Sequence, residues 1–224
     1  MKPFLPTING VGDSITLGTG SAPADATKNT GYRYPFWNNL GSAGIKTFFM
    51  GQQSNGHDAG VIPIYHDGVA GDTIAMMKTR VLVSAPLHCP EIVLLHAGTN
   101  DANIFSTPAA AILTLLDDLI LTIWNYGQRP VAFNKTRLIV VAQICPLPNA
   151  NDSIVVTLNG LIPAMAATHR TNGRNVQVVN MYGALGANPG PNYNGGSPPH
   201  PNANGYLIMA QTWAPPVISY IRNR

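Results

Sequence analysis

Two stretches, "EIVLLHAG" (91–98) and "RLIVVAQI" (137–144), constrain the fold of this chain more than any other feature. Each is a near-continuous apolar run of strand length, with no regular polar alternation. A strand of that kind has no face to give to water, so it belongs inside a parallel sheet covered on both sides. "TINGV" (7–11), "IKTFFM" (45–50) and "VQVVNM" (176–181) supply three further strands.

Helical periods fill the intervals. In the clearest, Thr107 is read as the N-cap and Pro108 as the first helical residue. Ile112, Leu115, Leu116, Leu119, Ile120 and Ile123 make one apolar stripe, and Gly127 follows Tyr126 as the stop. Further helices are expected near 33–41, 73–84, 153–170 and 203–222, the last interrupted by Pro215 and Pro216. With no repeat, low-complexity tract or linker, residues 1–224 read as one domain. The expected architecture is a three-layer α/β/α sandwich around a five-stranded parallel sheet.

Composition narrows the function classes. Charged residues are 10% of the chain, against about 25% in an average soluble domain. Thirteen basic and ten acidic side chains give a net charge of +3, and no Lys/Arg cluster suggests a nucleic-acid partner. No unbroken apolar run reaches the roughly 20 residues of a membrane span. "MKPFLPTING" has no apolar leader ahead of the first strand, yet the low charge and abundant Asn, Gly and Pro suit a secreted protein. Cys89 precedes one strand and Cys145 ends its neighbour. In parallel strands they would lie at opposite edges of the sheet, too far apart for a disulfide, so both are expected as free thiols.

Ligands bind beyond the carboxyl ends of the strands in such sheets. Four residues meet that rule: Ser14 after the first strand in "GVGDSITLG", Gly71 in "HDGVAGDTI", Asn100 in "HAGTND", and His200 in "GGSPPHPNANGY". Together they make an acyl-transfer set. Ser14 would attack and His200 would take its proton. The Ser14 N–H, the Gly71 N–H and the Asn100 amide would hold the oxyanion. No cofactor or metal is needed.

These blocks resemble those of the GDSL/SGNH hydrolases, in the same order. "GYRYPFWNNL" (31–40), "FFMGQQSNG" (48–56), "HDGVAGDTI" (66–74), "IVLLHAGTND" (92–101) and "HPNANGYLIMA" (200–210) are closer still to the family-three carbohydrate esterases, whose members typically deacetylate xylan. The likeness implies a flavodoxin-like SGNH fold and ester hydrolysis. It makes Ser14 the nucleophile, His200 the base, and Gly71 and Asn100 oxyanion donors; Asp13 and Asp101 take structural roles.

One feature of that family is missing. An Asp normally stands three residues before the histidine; here the position is Ser197, and no Asp or Glu occurs from Ser153 to Arg224. Glu91, at the start of a strand, lies away from the site. Loss of such an acid costs about 10⁴ in kcat in one well-studied serine protease. Any acceptor for the second ring N–H can take the orienting role, including a backbone carbonyl. A Ser14–His200 dyad is therefore expected, with a carbonyl or hydroxyl near Ser197 orienting the ring; the alternative is a remote Asp that reaches the histidine.

Plainer readings stand beside these. Ser14 alone reads as a helix cap, Asn100 as a turn residue, and Gly71 and His200 as loop residues. His96 reads as a satisfied core histidine. His66 and Asp67 are read as lining the acyl pocket or as loop structure, and His57 and Asp58 as at most half of a metal site. Asp117 and Asp118 belong on a solvated helix face. Tyr32, Arg33 and Trp37 are read as touching a sugar or as packing. Asn134 and Asn151 begin glycosylation sequons. In function, an esterase removing short acyl groups from carbohydrate competes with a general short-chain carboxylesterase or thioesterase, and with a non-catalytic carbohydrate-binding protein on the same scaffold. Nucleotide binding is disfavoured because no G-x-G-x-x-G follows the first strand.

Overall fold

A computed structural model of the chain describes residues 5–22, 24–56, 65–84, 88–128, 135–187, 190–194 and 199–224. In chain order the elements are β1 (Thr7–Gly12), α1 (Ser14–Leu17), α2 (Arg33–Ser42), β2 (Phe48–Phe49), β3 (Gln53–Ser54), β4 (Tyr65–Gly68), α3 (Ile74–Ser84) and β5 (Ile92–His96). They continue as α4 (Thr99–Asn103), α5 (Ala109–Gly127), β6 (Leu138–Gln143), α6 (Asp152–Thr171), β7 (Val176–Asn180), α7 (Met181–Leu185) and α8 (Ala203–Arg222).

β1 pairs in parallel with β5, β5 with β6, and β6 with β7. On the other side of β1 one strand position is shared. β2 pairs with its first half, Thr7 facing Phe48, and β4 with its second, Val11 facing Asp67. The sheet thus has five parallel positions, with short β3 added antiparallel at the edge. Consecutive core residues point to opposite faces. Val93, Leu95, Ile139 and Val141 pack with residues of α3, α5 and α6, whereas Leu94, Leu138 and Val140 pack with residues of α2 and α8. Burial of both faces explains why these runs lack alternation.

Several expectations shift. The strand expected at 45–50 forms pairs only at Phe48–Phe49. β4 gave no apolar signal because its buried residues, His66 and Asp67, are polar and hydrogen-bonded. Pro108 itself is the N-cap of α5, with φ −56° and ψ 140°, and no side chain caps that end. Although α5 is long and apolar enough by composition to cross a membrane, here its Ile112, Leu116, Leu119 and Ile120 are fully buried in the core. Asp117 and Asp118 broke the run and hid that length in the sequence. α8 continues through Pro215 and Pro216, since Tyr206, Met209, Trp213 and Val217 bury one continuous stripe against the sheet. Both cysteines are free, as expected.

Candidate active site

Strand register brings the site together. Gly12, the last residue of β1, faces Gly68 on β4 and His96 on β5, so three strand ends lie side by side. Ser14, Gly71 and Asn100 each follow one of these ends by a few residues. The short helices α1 and α4, too brief to leave a periodic pattern, begin at the same edge and present Ser14 and Asn100.

Ser14 opens α1. Asp13 caps the helix, its Oδ1 accepting from the Ile15 N–H at 2.9 Å. Asp13 is fully buried, and burial pushes its carboxyl up to about 7 against the lowering effect of that bond. Beneath the helix lies a buried polar cluster. Arg33 donates from Nε to the Thr16 carbonyl at 3.3 Å, and from Nη2 to the Leu17 carbonyl at 3.2 Å and Asn55 Oδ1 at 2.7 Å. Asn55 Nδ2 donates to the carbonyls of Leu17 (3.0 Å) and Asn29 (2.6 Å). His66 accepts the Gly68 N–H on Nδ1 at 2.9 Å, which leaves its Nε2 to donate to Asn55 Oδ1. Burial pushes His66 down to about 2 and Arg33 down to about 10.

Of the expected oxyanion donors, Gly71 lies on the loop after β4, and Asn100 on α4 is bonded to that loop. The Val69 N–H donates to the Gly12 carbonyl at 3.2 Å, tying this loop to the end of β1. Gly71 has φ +84°, a conformation open to glycine, and a side chain there would meet nothing within 4 Å. Asn100 Nδ2 donates to the Asp72 carbonyl at 2.8 Å, leaving its second amide proton without an acceptor among the described residues. The N–H groups of Ser14 and Gly71 likewise find no acceptor among them.

His200 completes the arrangement, its Nε2 lying 2.8 Å from Ser14 Oγ. The histidine loop is fastened by Asn194, which the sequence did not mark. The Asn194 N–H donates to the His200 carbonyl at 3.1 Å, and its Nδ2 to the carbonyls of Pro201 (2.9 Å) and Gly20 (3.2 Å). The last bond joins the base loop to the segment just beyond the nucleophile helix. None of the described carboxylates pairs with His200. Asp13, Asp67, Asp101 and Asp152 cap or brace backbone, and Asp72 pairs with Arg80. Glu91 meets Tyr220 and Arg224, consistent with its placement away from the site. Ser197 lies outside the described residues, as do His57, Asp58 and Asn134.

Other expected residues sort differently. His66 and Asp67 line no acyl pocket: both are buried in β4, where Asp67 takes the Asn9 amide and the Gln52 N–H, each at 2.7 Å. Tyr32 and Arg33 pack in the interior, with the Tyr32 hydroxyl 3.2 Å from Thr16 Oγ1. Trp37 packs partly buried on α2, its ring stacked with Tyr34. His96 is only half satisfied. Its Nε2 meets the Cys145 thiol at 3.2 Å, while buried Nδ1 has no partner among the described residues. Burial keeps it neutral, its pKa down to about 4. Asp117 and Asp118 are both half-exposed on the solvated face of α5, as expected, with Asp117 lying 2.9 Å from His169 and Asp118 pairing with Lys78. The Asn151 amide is engaged with the Asn103 carbonyl and the Ser106 hydroxyl. No group of three His, Cys, Asp or Glu suited to a metal occurs among the described residues.

The profile of the GDSL-like lipase/acylhydrolase family matches residues 11–208. Among solved structures, a Clostridium thermocellum family 3 carbohydrate esterase aligns with TM-score 0.81 at 24% identity, covering 98% of each chain. A carbohydrate esterase family 3 protein from Talaromyces cellulolyticus aligns at 0.76 and 21%, covering 98% of this chain and 100% of the other. A carbohydrate acetylesterase from Sinorhizobium meliloti aligns at 0.69 and 16%, covering 96% and 99%. None of the curated proteins matches. The architecture is therefore that of the SGNH hydrolases. The chain belongs to the GDSL-like lipase/acylhydrolase family and is an ester-hydrolysing enzyme.

Proposed function

We propose that this enzyme is a serine esterase that removes short acyl groups, acetyl above all, from carbohydrate such as acetylated xylan. The 2.8 Å contact between Ser14 Oγ and His200 Nε2 carries this reading. His200 takes the hydroxyl proton as Ser14 Oγ attacks the ester carbonyl. The Ser14 and Gly71 N–H groups and the free amide proton of Asn100 stabilise the tetrahedral oxyanion. Collapse expels the sugar alkoxide, which takes the proton from His200. The same imidazole then deprotonates water, which releases acetate from the acyl-enzyme. Ser14 and His200 work as a dyad in which a carbonyl or hydroxyl near Ser197 orients the ring; the lack of any Asp or Glu from Ser153 to Arg224 supports this. The structural likeness to carbohydrate esterases supports the sugar preference. Initial rates on acetylated xylo-oligosaccharides and on p-nitrophenyl butyrate test it. A clear kcat/KM advantage for the acetylated sugar is expected; an equal or better butyrate rate would make the enzyme a general short-chain esterase.

A further inference from the structure

Asp72 stands next to Gly71, is almost fully buried, and is tied through its N–H, its carbonyl and one carboxylate oxygen. Its N–H donates to the Val69 carbonyl at 3.2 Å, closing the turn that carries Gly71. Its carbonyl accepts from Asn100 Nδ2 at 2.8 Å. Its carboxylate Oδ2 accepts from Arg80 Nε at 3.1 Å and, more closely, from Nη2. Two of the three proposed oxyanion donors, the Gly71 N–H and the Asn100 amide, are thus tied to one residue. That residue is in turn held to α3 by Arg80, whose Nε and Nη2 both donate to the one carboxylate oxygen in charge-assisted bonds. The pair also walls an open groove of about 520 Å³ with Gln52, Met76, Thr79 and Val83, so it borders solvent rather than the deep core. A backbone displacement beside an oxyanion donor acts directly on the rate. With the Asp72 side chain only 6% exposed, removing its partner leaves a poorly solvated charge and costs stability as well.

We propose that the Asp72–Arg80 pair is a positioning device that locks the Gly71 N–H and the Asn100 amide onto the oxyanion. This rests on the acyl-enzyme reading above. Neither residue touches the reacting atoms; both act through the loop they hold.

The test compares wild type, Arg80→Met, Arg80→Lys and Asp72→Asn for kcat and KM on p-nitrophenyl acetate, for thermal stability, and for inhibition by phenylboronic acid. The boronate forms a tetrahedral adduct on a nucleophilic serine and needs the same donors as the transition state. Arg80→Met should lower kcat by about ten- to a hundredfold with KM within about twofold. Boronate affinity should fall in parallel, and Arg80→Lys should recover part of both. Combining Arg80→Met with Asp72→Asn should cost little more than the worse single change, because the two act as a unit. An unchanged kcat in folded Arg80→Met would overturn the proposal. So would a loss of kcat with boronate affinity intact, since that would trace the defect to softening elsewhere. If Arg80→Met fails to fold, Arg80→Lys carries the same readouts. Equal rates for wild type and Ser14→Ala would sink the acyl-enzyme reading itself, whatever Arg80 does.

Discussion

Ser14 and His200 meet at one point but are held there by different means. Ser14 is set by strand register from the side and by a buried cluster from below, where Arg33 and Asn55 satisfy the carbonyls at the end of α1 and His66 braces Asn55. His200 rides on a loop fastened by the Asn194 and Asn202 side chains and by backbone contacts of Asn194 with His200 and of Tyr193 with Pro201. Damage on the first side should therefore appear mainly as lost stability, and damage on the second mainly as lost rate.

The largest effect is expected at Arg33. Arg33→Met removes the buried guanidinium. It takes the donor from the Thr16 carbonyl, and one of the two donors from the Leu17 carbonyl and from Asn55 Oδ1, each loss costing about 1–3 kcal/mol. A total near 3 kcal/mol or more should lower Tm by roughly 6–12 °C in a chain of this size, read by calorimetry. A shift of a degree or two would mean that water replaces the arginine and that the cluster does not hold the nucleophile.

Next comes Asn194→Ala. It frees the Pro201 carbonyl and cuts the tie to Gly20, where an added Cβ would lie 2.2 Å from the Asn194 amide. A loss of about tenfold or more in kcat is expected, with Tm nearly unchanged. Gly20→Ala, which pushes the same amide away, should reproduce the kinetic defect. A large Tm drop at unchanged kcat would reverse the contrast between the two sides.

The smallest effect is a pH dependence. Asp13 keeps its proton to about pH 7 in the folded state, whereas in the unfolded chain it ionises near pH 4. Its contribution to stability is therefore full below pH 4 and declines as pH rises through 7. His66 works in the opposite sense. Folded, it stays neutral down to about pH 2, so its contribution is full above pH 6.5 and is lost as pH falls below that value. Asp13→Asn keeps a neutral capping group, so its Tm should gain on wild type between pH 4 and 7. Parallel Tm curves would show that the carboxyl ionises normally.

The same contrast explains what could be read from the sequence. β1, β5, β6 and β7 announce themselves as apolar runs because both of their faces are buried. β4 stays silent because a strand that buries His66 and Asp67 has no hydrophobic signature. The motifs of Ser14, Gly71 and Asn100 stood out because each follows a strand end closely, whereas His200 stood out through its own motif just before α8. Asn194, Asn55 and the Asp72–Arg80 pair act by hydrogen bonds to distant segments; 174 positions separate Asn194 from Gly20. No local pattern records such a contact. α8 taught a further point, since packing of Trp213 and Val217 carries the helix through two prolines that local propensity alone would have stopped.

The most direct measurement is the initial rate of p-nitrophenyl acetate hydrolysis by wild type and by Ser14→Ala at neutral pH, with folding checked by circular dichroism. If Ser14 is the nucleophile, the folded variant should lose roughly 10³-fold or more of the wild-type rate. Equal rates in the two proteins would contradict a nucleophilic Ser14 and leave the serine as the first residue of a capped helix.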